Sequence, residues 1–205
     1  MHALFVHGLG RSPLSAWPML RQLRRSGLSA NTFAYWAAFE SFERIRLRLV
    51  RRLTDLAAQE ADYILIGHSL GGVLLRAALA SLPPQTRLPR HLFLIASPIS
   101  SACLARKLHT NPIFRFATGD CGQLLASDAR MASIPASPVP ATAIIGIQGL
   151  PWISSVFAGE LNDGVVALSE VRANWLHQQI HVQLIHTLLP ASSKVGEIIL
   201  RTVLS

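Results

Sequence analysis

Ser69 stands in Gly67-His68-Ser69-Leu70-Gly71-Gly72, directly after the apolar run Tyr63-Ile64-Leu65-Ile66 and before the helix-like Val73-Leu74-Leu75-Arg76-Ala77-Ala78-Leu79. A serine placed where a strand turns sharply into a helix is the pattern of a nucleophile elbow. The turn brings strand and helix too close for side chains, which accounts for Gly67 and Gly71. It also leaves the Ser69 hydroxyl exposed at a strained tip, ready to attack an electrophilic carbon.

Such a serine needs a base, and the base needs an acid that orients it, in the chain order serine, acid, histidine. His186 follows the strand-like run Ile180-His181-Val182-Gln183-Leu184-Ile185 and precedes the final helical stretch, which places it at the same sheet edge as Ser69. Asp163 lies in Glu160-Leu161-Asn162-Asp163-Gly164-Val165-Val166, a turn beyond the fifth strand-like run, where loops from the carboxyl ends of parallel strands converge. Asp128 and Glu160 compete for the same role. Asp128 precedes the fifth run and needs its loop to fold back, and Glu160 lacks the turn chemistry of Asn-Asp-Gly. An ordinary turn is the other explanation of Asp163, and a surface or capping position that of His186. His68 is assigned no chemical role. His177, His181 and His186 do not match a zinc pattern such as H-E-x-x-H, so no metal is expected.

The negative oxygen of a tetrahedral intermediate needs preorganised N–H donors. The backbone N–H of Leu70, at the start of a helix, is one candidate. The backbone N–H of Leu9 is the other, in the glycine-containing loop His7-Gly8-Leu9-Gly10-Arg11-Ser12 that follows the first strand-like run. That loop has neither the G-x-x-x-x-G-K-[ST] nor the G-x-G-x-x-G spacing, so phosphate or dinucleotide binding finds no support in it. Leu14, Trp17 and Ile99, with Leu9 and Leu70, are apolar residues near the expected mouth that could hold an acyl chain.

The elements that must position these groups alternate along the chain. Strand-like runs at Ala3–His7, Asn31–Trp36, Tyr63–Gly67, His91–Ala96, Ala141–Ile147 and Ile180–Ile185 are separated by helical periodicity at Ala16–Ser26, Phe42–Gln59 and Leu70–Leu82, with a last helix at Ser192–Leu204. That alternation predicts a parallel α/β sheet. Between residues 97 and 140 five prolines interrupt the pattern, and only short helices around Ser101–Leu108 and Gly122–Ala126 are expected. A long irregular stretch there, residues 98–140, would serve either as a partial cap over the active site or as a plain connector.

The 205 residues, half of them apolar and 15% charged, suit one domain of residues 1–205 and oppose disorder. The net charge is +8, from 19 basic residues of which 17 are arginine. The densest cluster, Arg44, Arg46, Arg48, Arg51 and Arg52, falls on the helix whose other side carries Phe42, Ile45, Leu49, Leu53 and Leu56. It reads as a solvated helix face. No nucleic-acid partner is expected, because no basic motif alternates with exposed aromatics. No run is long and apolar enough to span a bilayer, and no basic leader with a cleavage site opens the chain. A cytoplasmic location is therefore expected, with Cys103 and Cys121 as free thiols.

His7-Gly8-Leu9-Gly10, Gly67-His68-Ser69-Leu70-Gly71-Gly72, Asn162-Asp163-Gly164-Val165-Val166 and His186-Thr187 together resemble the small lipase-like α/β-hydrolases, and Ala96-Ser97-Pro98 resembles a segment that follows the elbow strand in them. The first strand already leads into the oxyanion loop. The resemblance is therefore to a minimal three-layer α/β-hydrolase fold, with about six mostly parallel strands flanked by helices and no large lid domain, like the smallest bacterial lipases. It implies a Ser69–Asp163–His186 triad, an oxyanion hole from Leu9 and Leu70, and cleavage of small-molecule or lipid carboxylic esters without a cofactor. A thioesterase or acyltransferase using the same triad is the alternative, and a catalytically silent binding protein a further one.

Overall fold

A computed structural model describes residues 1–204. Six parallel strands, β1 (His2–Val6), β2 (Ser29–Phe33), β3 (Tyr63–His68), β4 (His91–Ile95), β5 (Ala141–Gly146) and β6 (Gln178–Val182), form one sheet in the order β2-β1-β3-β4-β5-β6. Strands β1, β3, β4 and β5 are buried along their whole length, as near-continuous apolar runs require when both faces of a parallel sheet are covered. Alternate residues feed two separate cores. Leu4, Val6, Leu65 and Leu94 pack under helices α2 (Phe42–Gln59) and α3 (Leu70–Leu79), whereas Phe5, Ile64, Ile66 and Phe93 pack under α1 (Trp17–Arg25) and α7 (Ser193–Leu204). The expected three layers are present.

The chain leaves β1 for one edge of the sheet and leaves β3 for the other. The loops beyond these two neighbouring strands therefore diverge and open a crevice at their carboxyl ends, where open α/β sheets bind ligands. Gly8–Ser12 and Ser69 flank that crevice.

On α2, Phe42, Ile45, Leu49, Leu53 and Leu56 are buried and Arg44, Arg48 and Arg51 are exposed, as the stripe predicts. Elsewhere boundaries move. β2 occupies Ser29–Phe33 rather than Asn31–Trp36, because its register against β1 ends at Val6 and Phe33 and the chain then turns Tyr35 back onto His7. β6 begins at Gln178 rather than Ile180 and stops at Val182, since as an edge strand it tolerates the polar Gln178 and Gln179 that hide it from an apolar pattern.

The largest correction concerns residues 97–140, which are mostly helical: α4 (Cys103–Leu108), α5 (Pro112–Ala126) and α6 (Asp128–Ala132). Pro112 opens α5 instead of interrupting it, with the Asn111 side chain capping the N–H groups of Ile113 and Phe114. Gly119 bends the helix at φ +54°, where a Cβ would lie 2.5 Å from the Ala37 carbonyl oxygen. No helix among the described residues is long and apolar enough to cross a membrane, and Cys103 and Cys121 are free.

Buried histidines give the fold a pH dependence. His91, 8% exposed and bonded through Nε2 to Thr142 Oγ1 at 2.9 Å, has its pKa pushed down to about 4 by burial. Burial also lowers His2, His7 and His68. An imidazole that refuses a proton only when folded contributes stability that is complete above the unfolded pKa of about 6.5 and is lost as pH falls towards the folded value. Between pH 7 and 5, His91 alone removes about 2 kcal/mol. Urea unfolding at the two pH values should show His91→Gln losing less stability than the wild type by about that amount; an equal loss would contradict the assignment.

Candidate active site

Ser69 adopts φ +52° and ψ −123°, a conformation that L-residues rarely take. Its N–H donates to the Ile95 carbonyl at 2.9 Å, extending the β3–β4 ladder one residue into the turn, and α3 starts at once with Leu70. A Cβ on Gly71 would lie 2.1 Å from the Val6 carbonyl oxygen, and one on Gly67 2.4 Å from the Gly72 Cα. The β1 backbone, the β3 end and the first turn of α3 thus meet with only glycine between them. Gly8 brings the loop after β1 close as well, because a Cβ there would sit 3.0 Å from the Ser69 Cβ.

Asp163 and His186 meet at this edge. Asp163 Oδ1 accepts from the N–H groups of Val165 at 3.0 Å and Val166 at 2.9 Å, and Oδ2 lies 2.7 Å from His186 Nδ1. Asp163 is therefore both a turn residue and an imidazole partner. The aspartate is 1% exposed and the histidine 6%. Because the ionised carboxylate can only accept, Nδ1 of His186 carries the proton and Nε2 keeps a lone pair. The His186 N–H also donates to the Asp163 carbonyl at 2.9 Å, so backbone and side chain both tie the two loops.

Ser69 and His186 line one cavity of about 190 Å³ together with Leu9, Leu104, Leu108, Phe114 and Leu125. The Ser69 hydroxyl makes no hydrogen bond to a described residue, so it is not yet joined to Nε2. Hydrogen bonds of this kind often tighten only with substrate bound. The N–H groups of Leu9 and Leu70 donate to no described acceptor. Unengaged backbone N–H groups are the kind of donor that an oxyanion requires.

The other expected residues lie elsewhere. Asp128 accepts from the Ser101 hydroxyl and pairs with Arg106, and Glu160 holds the Ser169 N–H and hydroxyl, so neither acid meets a histidine. His177 stands beside His91, and His181 is exposed on β6; no metal-binding cluster occurs among the described residues. Leu14 lines a different, open cleft, Trp17 lies exposed beneath Arg21, and Ile99 is pinned by its N–H to the Glu170 carbonyl. None of the three lines the cavity at Ser69.

Tyr35, Glu170 and Arg11, none of them singled out in the sequence, and His68, expected to have no chemical role, pack around the site. Tyr35 donates to the His7 carbonyl at 2.8 Å and stacks on the His7 ring at 4.2 Å, bracing the loop after β1. Buried Glu170 accepts from Cys103 N–H and Ala167 N–H, joining the wall of the cavity to the Asp163 loop. Arg11 donates to the Thr187 carbonyl at 2.9 Å and so links the loop after β1 to the residue that follows His186. His68 Nε2 lies 3.1 Å from the His186 carbonyl. Burial holds the His68 pKa well below the usual range, so its ring stays neutral and donates that bond. None of them had a local sequence signal: Ala167, three residues before Glu170, has no side-chain oxygen and does not read as a helix cap.

No family model and no curated protein matches the sequence. Solved structures do. The mature Bacillus licheniformis lipase BlEst2 superposes with a TM-score of 0.79 at 17% identity, covering 99% of this chain and 91% of that one. The metagenomic carboxyl esterase MGS0156 gives 0.74 at 16% identity over 92% of this chain and 65% of its own. RedJ, a thioesterase from the prodiginine pathway of Streptomyces coelicolor, gives 0.61 at 15% identity over 98% and 88%. At such identities the likeness is one of fold, and it runs along nearly the whole chain.

Proposed function

We propose that this chain, which has a minimal α/β-hydrolase fold, is a serine hydrolase that cleaves carboxylic esters through an acyl-enzyme on Ser69. The Asp163–His186 pair at 2.7 Å carries the reading, because the imidazole it orients borders the same cavity as a strained serine. Ser69 Oγ attacks the ester carbonyl as His186 Nε2 takes its proton, and Leu9 and Leu70 N–H groups hold the oxyanion. Asp163 keeps the proton on Nδ1 and stabilises the imidazolium. His186 then passes the proton to the departing alcohol, and water repeats the sequence to release the acid.

In this reading residues 1–205 act as one domain, and α4 and α5, within residues 98–140, form the partial cap. Leu104, Leu108, Phe114 and Leu125 from that segment give the cavity its apolar wall. A dry cavity of about 150 Å³ holds a benzene-sized group. A space of about 190 Å³ therefore suits an acyl group of about six to eight non-hydrogen atoms. Across a p-nitrophenyl ester series from acetate to palmitate, kcat/KM should peak near butyrate to octanoate and fall about tenfold or more at palmitate; a palmitate optimum would contradict the assignment of the cavity. A thioester donor would form the same acyl-enzyme, and the likeness to the RedJ thioesterase makes butyryl thioesters the second substrate to assay.

A further inference from the structure

Arg11 borders two spaces. One is the acyl cavity; the other is an open cleft of about 690 Å³ on the far side of the Gly8–Ser12 loop, between that loop, the residues after β2 and α5. Helix α5 also contributes to both, with Phe114 in the cavity and Ala117 in the cleft, so the two spaces adjoin.

Chemistry decides which part of an ester belongs in each. The acyl part fits the small apolar cavity. The alcohol oxygen must receive its proton from His186 Nε2, so the alcohol portion departs beside the His186–Thr187 segment. Arg11 is anchored to that segment through the Thr187 carbonyl, and no carboxylate lies within ion-pair distance of its guanidinium among the described residues. A cation held in place and left without a counter-charge stands where the leaving group emerges. The cleft beyond it mixes exposed apolar groups, Leu14, Trp36 and Phe39, with Ser12 and Ser15. Within its wall, His7 Nε2 and Ser15 Oγ are buried polar atoms without a hydrogen-bond partner.

We propose that this cleft is the alcohol-side subsite, and that Arg11 selects esters whose alcohol portion carries an oxyanion, a carboxylate or a phosphate. The inference rests on the serine hydrolase reading. Arg11 is placed to form a charge-assisted, two-pronged bond to such a group, Trp36 and Phe39 to cover its apolar spacer, and the net charge of +8 to attract it.

The test uses esters with one acyl group and leaving phenols of similar acidity: 4-butyryloxyphenylacetate, its neutral methyl ester, and 2-(4-butyryloxyphenyl)ethyl phosphate. The wild type should favour an anionic ester over the neutral one by about tenfold in kcat/KM, with the preference shrinking as salt rises. The better of the two anions identifies the group. Arg11→Gln should erase the ratio between anionic and neutral esters, and Arg11→Lys should keep part of it. Equal rates on charged and neutral esters, or a ratio unchanged in Arg11→Gln, would overturn the proposal while leaving the hydrolase reading intact. Failure to cleave any of the three, the neutral ester included, would count against that reading instead. Binding of 4-hydroxyphenylacetate and its methyl ester, followed by tryptophan fluorescence with Trp36→Phe as control, then decides the cleft without turnover: tighter binding of the anion that Arg11→Gln abolishes supports it, and equal binding overturns it.

Discussion

Asp163→Asn should lower kcat for a short-chain ester by about 10,000-fold while the protein stays folded. The magnitude follows from where the amide must point. Val165 and Val166 both present N–H groups to Oδ1, so the asparagine oxygen has to face them and its NH₂ has to face His186 Nδ1. Nδ1 then becomes an acceptor, the ring proton moves to Nε2, and the nitrogen next to Ser69 no longer takes a proton. Geometry is kept and the tautomer is wrong. Steady-state kinetics with circular dichroism as a folding control checks this; a variant within about tenfold of wild type would show that Asp163 is only a turn residue.

Gly71→Ala should cost about 3–5 kcal/mol, a large share of the about 5–15 kcal/mol that holds a typical domain together. Its Cβ would meet the carbonyl oxygens of Val6 at 2.1 Å and His7 at 2.6 Å, and these belong to β1 and the loop that follows it. Neither can retreat without breaking the sheet. Gly27→Ala is the control, since Gly27 has φ +90° but open space around it, and so feels backbone strain of only about 1–2 kcal/mol. Urea unfolding of the two variants separates collision from strain. Equal losses would mean that the elbow is not packed as described.

The parts of the site that could be read from the sequence are those encoded within a few residues. Gly67 to Gly72 specify a tight strand-to-helix turn by themselves, and Asn162-Asp163-Gly164 marks a turn whichever loop it meets. The buried strands were legible for the same reason, as short apolar runs bounded by turn residues. Polar edge strands were not: Gln178 and Gln179 belong to β6 because of their pairing with Thr142 and Ala143, which no local pattern encodes. Helix α5 was hidden by Pro112, a helix start that reads as an interruption until Asn111 is seen to cap it.

Long-range partners were beyond reach for a related reason. Arg11 meets Thr187, Glu170 meets Cys103, and Tyr35 meets His7 only after the sheet has brought distant loops to one edge. The same folding sends Leu14 to the open cleft while Phe114 and Leu125, from a stretch that looked irregular, wall the cavity at Ser69. Sequence order placed Ser69, Asp163 and His186 at one sheet edge. Packing decided what surrounds them.

The most direct measurement is active-site labelling with a fluorophosphonate, followed by mass spectrometry of the modified peptide. The account predicts one phosphonyl group per folded chain, carried on Ser69, and none in Ser69→Ala. Folded wild type that stays unlabelled, or label that persists in Ser69→Ala, would contradict the assignment of Ser69 as nucleophile.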